Sequence, residues 1–507
     1  MKINWGRFTL PICIVVLLLL EISNVFAAQS FIDPSLQDWS AQPTVNHFAG
    51  VEKREVIVFL KSPRYQNRSG LSQQMALFQE KNYSTNFLKD KTTEFSAIIG
   101  QQKAKFLWSS NAIVISIDKN SLKQLSKNSD VDGIVENKTV TLDQPIFVNN
   151  NLKTDESSMT YGLQVIHAKS AWEKGIDGTG VVVGVIDTGV DETHPDLVGK
   201  ILLKKDFTRD NDNKDCNGHG THVSGTIVGG NASGTTIGVA PGAKIIMAKV
   251  LDCNGSASLA TLLSAMEWML NPSGDANKND APKIISNSWG GSTQFMYGFR
   301  NIVKTWRRFG ILPAFAAGNS GSSYFSVNAP GSYPFSFTIG AVDENLELTS
   351  FSSRGPTIWW NKFYPVFYTK PNISAPGLDV LSALPENSTI VEALKRMGKE
   401  VIEHTPEKNG GHWARISGTS MATPHVSAVA ALALQANPKL SVEDLATILN
   451  STALDQRGKG MNNKFGNGIV QVDQVIEKAK TWQLTNQSSS RSFFQDKDPS
   501  LWVWDTP

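Results

Sequence analysis

Four residues in this 507-residue chain have the types that cleave acyl bonds when they converge: Asp187, His219, Asn319 and Ser420. Ser420 opens the stretch Ile416–Leu434, ISGTSMATPHVSAVAALAL, in which small residues lead into a helix-permissive run from Met421 to Ala436, stopped by Asn437-Pro438. Pro424 is expected in the first helical turn, where a missing N–H costs nothing. The run is apolar on nearly all sides, which predicts a buried central helix. A serine at such a helix start faces free backbone N–H groups and the positive end of the helix dipole, the setting an oxyanion needs. Asp187 ends the apolar run Val181–Ile186. His219 sits between two glycines in NGHGTHVSGT, and Asn319 follows the apolar Ile311–Ala317 in AAGNSG. Taken singly, each has an ordinary reading: a loop cap, a structural histidine, a turn asparagine, a helix-capping serine. Together they make a nucleophile, a base, an orienting carboxylate and a side-chain donor for an oxyanion. A metal site of Asp187, His219 and His222 is the rival chemistry. The histidines are three apart, however, and lack the i, i+4 spacing with an intervening Glu of the zinc protease pattern.

The elements that must position these residues follow one rhythm. Val181–Ile186, Ile245–Val250, Lys283–Ser286, Ile311–Ala317 and Phe337–Val342 are continuous apolar runs of the kind buried on both faces. Helical stretches separate them, notably Ser256–Leu270 and Met296–Phe309. The expectation is an α/β domain over residues 151–482, with three αβα layers and a mainly parallel central sheet. Sites in such sheets form beyond the carboxyl ends of the strands, where the four residues fall. Ahead of it, strands at Arg54–Lys61, Asn111–Ile117 and Thr139–Leu142 and helices over 71–95 and Ser121–Ser126 predict a small α+β unit spanning about 54–142. Residues 28–53 read as a loose leader, and the polar segment 149–160 as a cleavable linker. Two stretches look like insertions, 357–368 and 386–412, the second charged and helical in composition. The tail 483–507 is Ser- and Asp-rich.

Residues 1–27 carry Lys2 and Arg7, the apolar Phe8–Leu20 and a small-residue end at Val25-Phe26-Ala27. This is an export signal in pattern and too short to span a bilayer, so the chain is expected to be secreted, with no membrane contact once the signal is removed. With 48 basic and 46 acidic residues, net +2, nucleic acid is not expected as a partner. Of three cysteines, Cys13 leaves with the signal. By spacing alone, Cys216 and Cys253 are either paired or two buried thiols.

The segments VIDTGVDETHPDL, NGHGTHVSGTI, SNSWGG, AAGNSG and GTSMATPHVSAVAAL resemble those of subtilisin-like serine proteases (subtilases, peptidase S8 type) over roughly 161–480. Within them, APKIISNSWGG and VSAVAALALQAN are similar to the bacillopeptidase F branch. Asp, His, Ser is the subtilisin order along a chain. The resemblance implies a serine endopeptidase with Ser420 as nucleophile, His219 as base, Asp187 as its orienter, and Asn319 with the Ser420 N–H as oxyanion hole. It makes His222 structural and implies that Ser288, Trp289 and Gly290 pair with extended substrate and line the first specificity pocket. The 54–142 unit resembles an inhibitor I9-type propeptide, so residues 28–150 are expected to block the site until the enzyme cuts between Gln144 and Tyr161. The DCNGHGTH and VLDCNGS settings resemble those of a family disulfide, which implies a Cys216–Cys253 bond. Asp196 matches a calcium-holding aspartate, although the loop Gly230–Gly238 departs from the family pattern. The chemistry requires no cofactor, and the expected partners are protein or peptide substrates and the chain's own propeptide, with the enzyme monomeric.

Overall fold

A computed structural model describes residues 30–483 except 43–51, 62–71, 144, 148–157, 211, 213, 276, 292–296, 361–364, 404–410, 456–457 and 459. The expected export signal and nearly all of the tail and linker lie outside the described residues. Among the described residues no helix is long and apolar enough to cross a membrane.

Seven parallel strands form the central sheet, in the order Ile373–Pro376, Phe337–Val342, Leu312–Ala316, Ile284–Asn287, Val182–Asp187, Lys244–Lys249 and Ile201–Asp206. The edge strand Ile201–Asp206 was not apparent in the sequence; its half-exposed ILLKKD lacks a continuous apolar run. From Val182–Asp187 the chain first builds toward that edge, then returns to build the other side from Ile284–Asn287. The reversal falls between neighbouring strands, the place where open parallel sheets form their crevice. Alternate strand residues face two different cores. Val183, Val185, Ile245, Met247, Ile284 and Leu312 pack under the helices His219–Val228, Thr419–Ala436, Val442–Ser451 and Val472–Thr481. Ile186, Ile246, Ala248, Ile285 and Phe315 pack on the opposite side, under Leu259–Trp268 and Arg300–Arg308. The period of two along each strand thus yields the three αβα layers that the strand–helix alternation predicts.

The N-terminal unit is a five-stranded sheet, ordered Phe31–Ile32, Val131–Glu136, Arg54–Leu60, Ala112–Ile117 and Lys105–Leu107, carrying the helices Gln73–Glu94 and Lys119–Leu125. Its first strand corrects the expectation of a loose leader. Phe31–Ile32 pairs in parallel with Gly133 and Ile134, and the helix Pro34–Ala41, capped by Asp33, buries Leu36 and Trp39. Two strand residues and two apolar anchors give too short a pattern to stand out in a polar sequence. Two further differences are local. Ser256–Ser258, read as helical, is a strand paired antiparallel with Thr139–Thr141. Among the described residues of the insertions, 357–368 forms a hairpin of Thr357–Trp360 with Pro365–Tyr368, while 386–412 contains the helix Thr389–Arg396 and the strand Val401–Glu403.

The unit docks on the two helices of the second face and shares their apolar core. The seam also has a polar knot. Ser109 donates from both N and Oγ to Glu267 Oε2 at 2.9 and 2.8 Å, and Thr305 Oγ1 donates to the Ser109 carbonyl at 3.2 Å. Burial pushes the Glu267 carboxyl up to about 7, against the pull of the Ser109 donors and of Lys81 and Lys105. A carboxyl raised by docking favours the docked state most at low pH. That contribution is complete below the ordinary glutamate value of about 4.3 and fades as pH rises through about 7. We therefore expect the unfolding temperature of the N-terminal unit to fall across that window, and Glu267→Gln to flatten the fall by a few degrees. Calorimetry at several pH values checks this; an unchanged slope in Glu267→Gln would contradict it.

Candidate active site

Asp187 is the last residue of its strand and is fully buried. Its Oδ1 accepts from the Thr188 N–H and from His219 Nδ1, both at 2.8 Å. His219 begins the helix His219–Val228, and every N–H at that helix start is held by a side chain. Asn217 Oδ1 takes the His219 N–H (3.2 Å) and Thr188 Oγ1 takes that of Gly220 (2.8 Å). Asp215 takes the rest: its Oδ1 accepts from Gly218 N and Thr188 Oγ1 (both 2.8 Å), and its Oδ2 from Thr221 N (2.8 Å) and Oγ1 (2.6 Å). Unheld N–H groups at a buried helix start would each cost a lost hydrogen bond. Asp215 is therefore the carboxylate that locks the imidazole's helix against the Asp187 turn. Sequence reasoning missed it; the available signal was its place four residues before His219 and six before Thr221. Gly220 is required for the same contact, because a Cβ there would lie 2.1 Å from the Gly189 carbonyl.

Ser420 is the second residue of the helix Thr419–Ala436, so Pro424 lies inside the helix and not in its first turn. The consequence is local: proline has no N–H for the carbonyl four residues back. The freed Ser420 carbonyl accepts from Ser288 Oγ at 2.8 Å, and Ser420 Oγ in turn donates to the Ser288 carbonyl at 2.8 Å. Ser288 follows the strand Ile284–Asn287. Its register (Ser286 opposite Val185) carries Ser288 level with Asp187 on the neighbouring strand. The structure thus anchors Asp187, His219 and Ser420 to two adjacent strand ends, with the Ser420 hydroxyl turned to Ser288.

Asn319 is fixed to the same helix start. Its Oδ1 accepts from Thr419 N and Oγ1 at 2.9 and 3.0 Å, which leaves the Nδ2 amide as its donor. That Nδ2 lies 3.3 Å from where a Gly418 Cβ would project, beside the Ser420 backbone. His222 points elsewhere. Its Nε2 contacts the Val380 and Ala414 carbonyls at 3.0 and 3.2 Å, and burial, with His219 nearby, lowers its pKa to about 3. It is a neutral strut under the His219 helix, turned away from Asp187.

The other expected site residues are distributed as follows. Trp289 buries its ring between Phe299 and Phe315, while Gly290 lies against Asn328. The strand that pairs with an extended segment of the N-terminal part is Ser256–Ser258, which binds Thr139–Thr141 in a two-stranded sheet. Asp196 is buried; its Oδ1 accepts from Ala232 N at 2.7 Å and its Oδ2 from Trp413 Nε1 at 2.6 Å. No trio of carboxylate, imidazole or thiol ligands forms around it among the described residues.

Cys216 and Cys253 are bonded, closing a separation of 37 residues. The bridge ties the loop before His219 to the loop after Lys244–Lys249, and the Thr389–Arg396 helix seats on it through Thr389 N to the Cys216 carbonyl at 3.0 Å. Thiol titration of the unfolded, unreduced protein should find neither cysteine free. Replacing both with alanine should cost about 2–4 kcal/mol in denaturant unfolding, by the loop-entropy argument. Two titratable thiols would refute the bond. Asp215→Ala should cost stability as well, and should loosen the His219 ring, read as a shifted or broadened imidazole NMR signal.

Comparison with known proteins agrees with this geometry. The Subtilase family (Peptidase_S8) matches residues 178–468. Bacillopeptidase F of Bacillus subtilis (strain 168) is 34% identical over 403 residues, 72% of this chain and 26% of that protein. The chain therefore spans about a quarter of that relative's length. The thermostable alkaline protease of Halalkalibacterium halodurans is 34% identical over 362 residues, covering 71% of this chain and 82% of the relative. Subtilisin E of Bacillus subtilis is 30% identical over 369 residues, 72% and 81% respectively. The chain belongs to the subtilase family and is a hydrolase of the subtilisin type.

Proposed function

We propose that the protein is a secreted serine endopeptidase, working through Asp187, His219 and Ser420 and made as a zymogen that its own N-terminal unit inhibits. The observation that carries this reading is the Asp187–His219 pair, at 2.8 Å and fully buried, next to a helix-start serine whose N–H shares its turn with the Asn319 amide. Asp187 holds the proton on Nδ1, so Nε2 is the free base. Once Ser420 Oγ turns from the Ser288 carbonyl, its proton passes to Nε2 as the oxygen attacks the substrate carbonyl. The Ser420 N–H and Asn319 Nδ2 then bind the oxyanion. When the intermediate collapses, Nε2–H protonates the departing amine and an acyl-Ser420 ester remains. Water, deprotonated by Nε2, releases it. The reading requires no cofactor; its partners are protein or peptide substrates and the N-terminal unit, and neither nucleic acid nor a second copy has a role.

The zymogen half of the proposal draws support from residues 139–147. Thr139–Thr141 pairs with the Ser256–Ser258 strand, and Ile146 and Ser417 exchange backbone hydrogen bonds at 2.9 and 3.1 Å. Such a segment occupies the ground a substrate would need, by adding a strand to an open edge.

A serine-directed fluorophosphonate should abolish casein digestion; digestion that persists after stoichiometric labelling of Ser420 would sink the triad reading. Ser420→Ala should accumulate as uncut precursor, and full processing of the purified variant with no other protease present would show that the cut is not its own. Asn319→Ala should lower kcat about 10²–10³-fold with KM nearly unchanged, the loss of one oxyanion donor. An unaltered kcat would remove Asn319 from the hole.

A further inference from the structure

The segment leaving the N-terminal unit is held by the larger domain at two places. Upstream, Thr139, Val140 and Thr141 pair with Ser258, Ala257 and Ser256, and Leu142 N donates to the Gly255 carbonyl at 2.7 Å. Downstream, Ile146 pairs with Ser417, three residues before Ser420. Asp143 lies in sequence between these two anchors, and it contacts Asn319, the residue whose Oδ1 is bonded to the start of the Ser420 helix. The Asp143 side chain is turned into the wall of the cleft. Its Oδ2 accepts from the Asn319 N–H and from Asn328 Nδ2, both at 3.2 Å.

Asn328 is built to make this contact. Its own N–H donates to the Ala317 carbonyl at 2.9 Å, and its Oδ1 accepts from Ser320 Oγ at 3.2 Å, which fixes Nδ2 toward Asp143. Glycines clear the space around it. A Cβ on Gly318 would lie 2.6 Å from Asn328 Nδ2, and one on Gly290 would lie 3.2 Å from its Cβ. An apolar side chain in Asp143's place would leave two N–H donors facing it without an acceptor. Partial burial raises the Asp143 carboxyl, while these two donors pull it down toward the charged form.

From this we propose that the pocket beside Ser420 selects an aspartate on the amino side of the bond that is cut, that Asn328 sets the preference, and that the enzyme first cuts itself between Asp143 and Gln144. This rests on the endopeptidase reading above. It also moves the cut just ahead of the window from Gln144 to Tyr161 expected from sequence. The reason is that an inhibitory segment cut by its own cleft must offer that cleft a side chain it accepts. Hydrogen bonds to a charged acceptor are roughly twice as strong as neutral ones, so aspartate is favoured over asparagine, and both over leucine.

The test uses mature enzyme and acetyl-Thr-Val-Thr-Leu-X p-nitroanilides with X as Asp, Asn, Leu or Phe. We expect kcat/KM for Asp to exceed that for Leu and Phe at least about 10-fold, with Asn between, and Asn328→Ala to cut the Asp-to-Leu ratio about 10–100-fold, as for a lost hydrogen bond to a charged group. Asn328→Asp should push the ratio below one through repulsion. In the full-length chain the first new N-terminus should be Gln144, and Asp143→Leu should slow its appearance. Leu or Phe cut as fast as Asp, Asn as good as Asp, an unchanged ratio in Asn328→Ala, or a first N-terminus elsewhere would each overturn the proposal. Fluorophosphonate labelling of Ser420 in the same preparations separates the two failures. Labelled enzyme without aspartate preference refutes only the selectivity, whereas unlabelled enzyme refutes the nucleophile itself.

Discussion

The molecule is arranged around one buried contact, the Asp187 carboxylate against the His219 imidazole, neither more than 1% exposed. A carboxylate taken out of water is tolerable only where hydrogen bonds replace its hydration. Asp187 receives two on Oδ1, one from the Thr188 N–H and one from the His219 imidazole, so its hydrogen bonding depends on the imidazole staying in place. That demand propagates outward. The imidazole stays in place because its helix start is fully bonded to Asp215, Asn217 and Thr188. The loop bearing Asp215 stays in place because the Cys216–Cys253 bridge and the Thr389–Arg396 helix clamp it from outside. Lys249, also buried, adds a donor to the Thr188 carbonyl at 3.1 Å from the adjoining strand.

Much of this was legible in the sequence, for a physical reason. Strands buried on both faces are written as unbroken apolar runs, and the polar residue that ends each run must lie at the sheet's edge. Asp187 and Asn319 could be placed that way, and Ser420 by the apolar helix behind it. The illegible residues are those whose meaning comes from partners remote in sequence. Asp215 looks like any loop aspartate until Thr188 and Thr221 converge on it. Asn328 looks like any turn asparagine until its amide meets Asp143, 185 positions away. Phe31–Ile32 is a strand only because Val131–Glu136 lies beside it, about a hundred residues on. Ser256–Ser258 has no β-pattern of its own and is extended because Thr139–Thr141 pairs with it.

The N-terminal unit joins the enzyme by two different kinds of contact, and their separation matters. The sheet docks broadly through an apolar core shared with Leu259–Trp268 and Arg300–Arg308. The connecting segment docks narrowly, through backbone pairing with Ser256–Ser258 and Ser417. Backbone pairing is indifferent to side chains, so it supplies grip without choice. On the proposed selectivity, choice would fall to side-chain contacts such as those of Asp143 with Asn319 and Asn328. If the chain is cut as proposed, the broad contact, with its Ser109–Glu267 hydrogen bonds, does not run through the severed bond.

The Ser420–Ser288 exchange shows how the site can be rigid and reactive together. Pro424 removes one rung of the helix at the point where Ser420 sits, and Ser288 Oγ fills the vacancy with a bond of ordinary length. The backbone of Ser420 is therefore pinned to the sheet even though the helix does not hold its carbonyl. Its side chain is under no such restraint. The bond from Ser420 Oγ to the Ser288 carbonyl is a single neutral one, worth about 1 kcal/mol net, and staggered χ1 positions are separated by one rotation. On the proposed mechanism, turning the hydroxyl toward Nε2 would break only this bond and leave the Ser420 N–H and the Asn319 amide held as they are. A serine held by an unbroken helix would have no need of Ser288, and the strand next to Asp187 would then have no direct hold on Ser420.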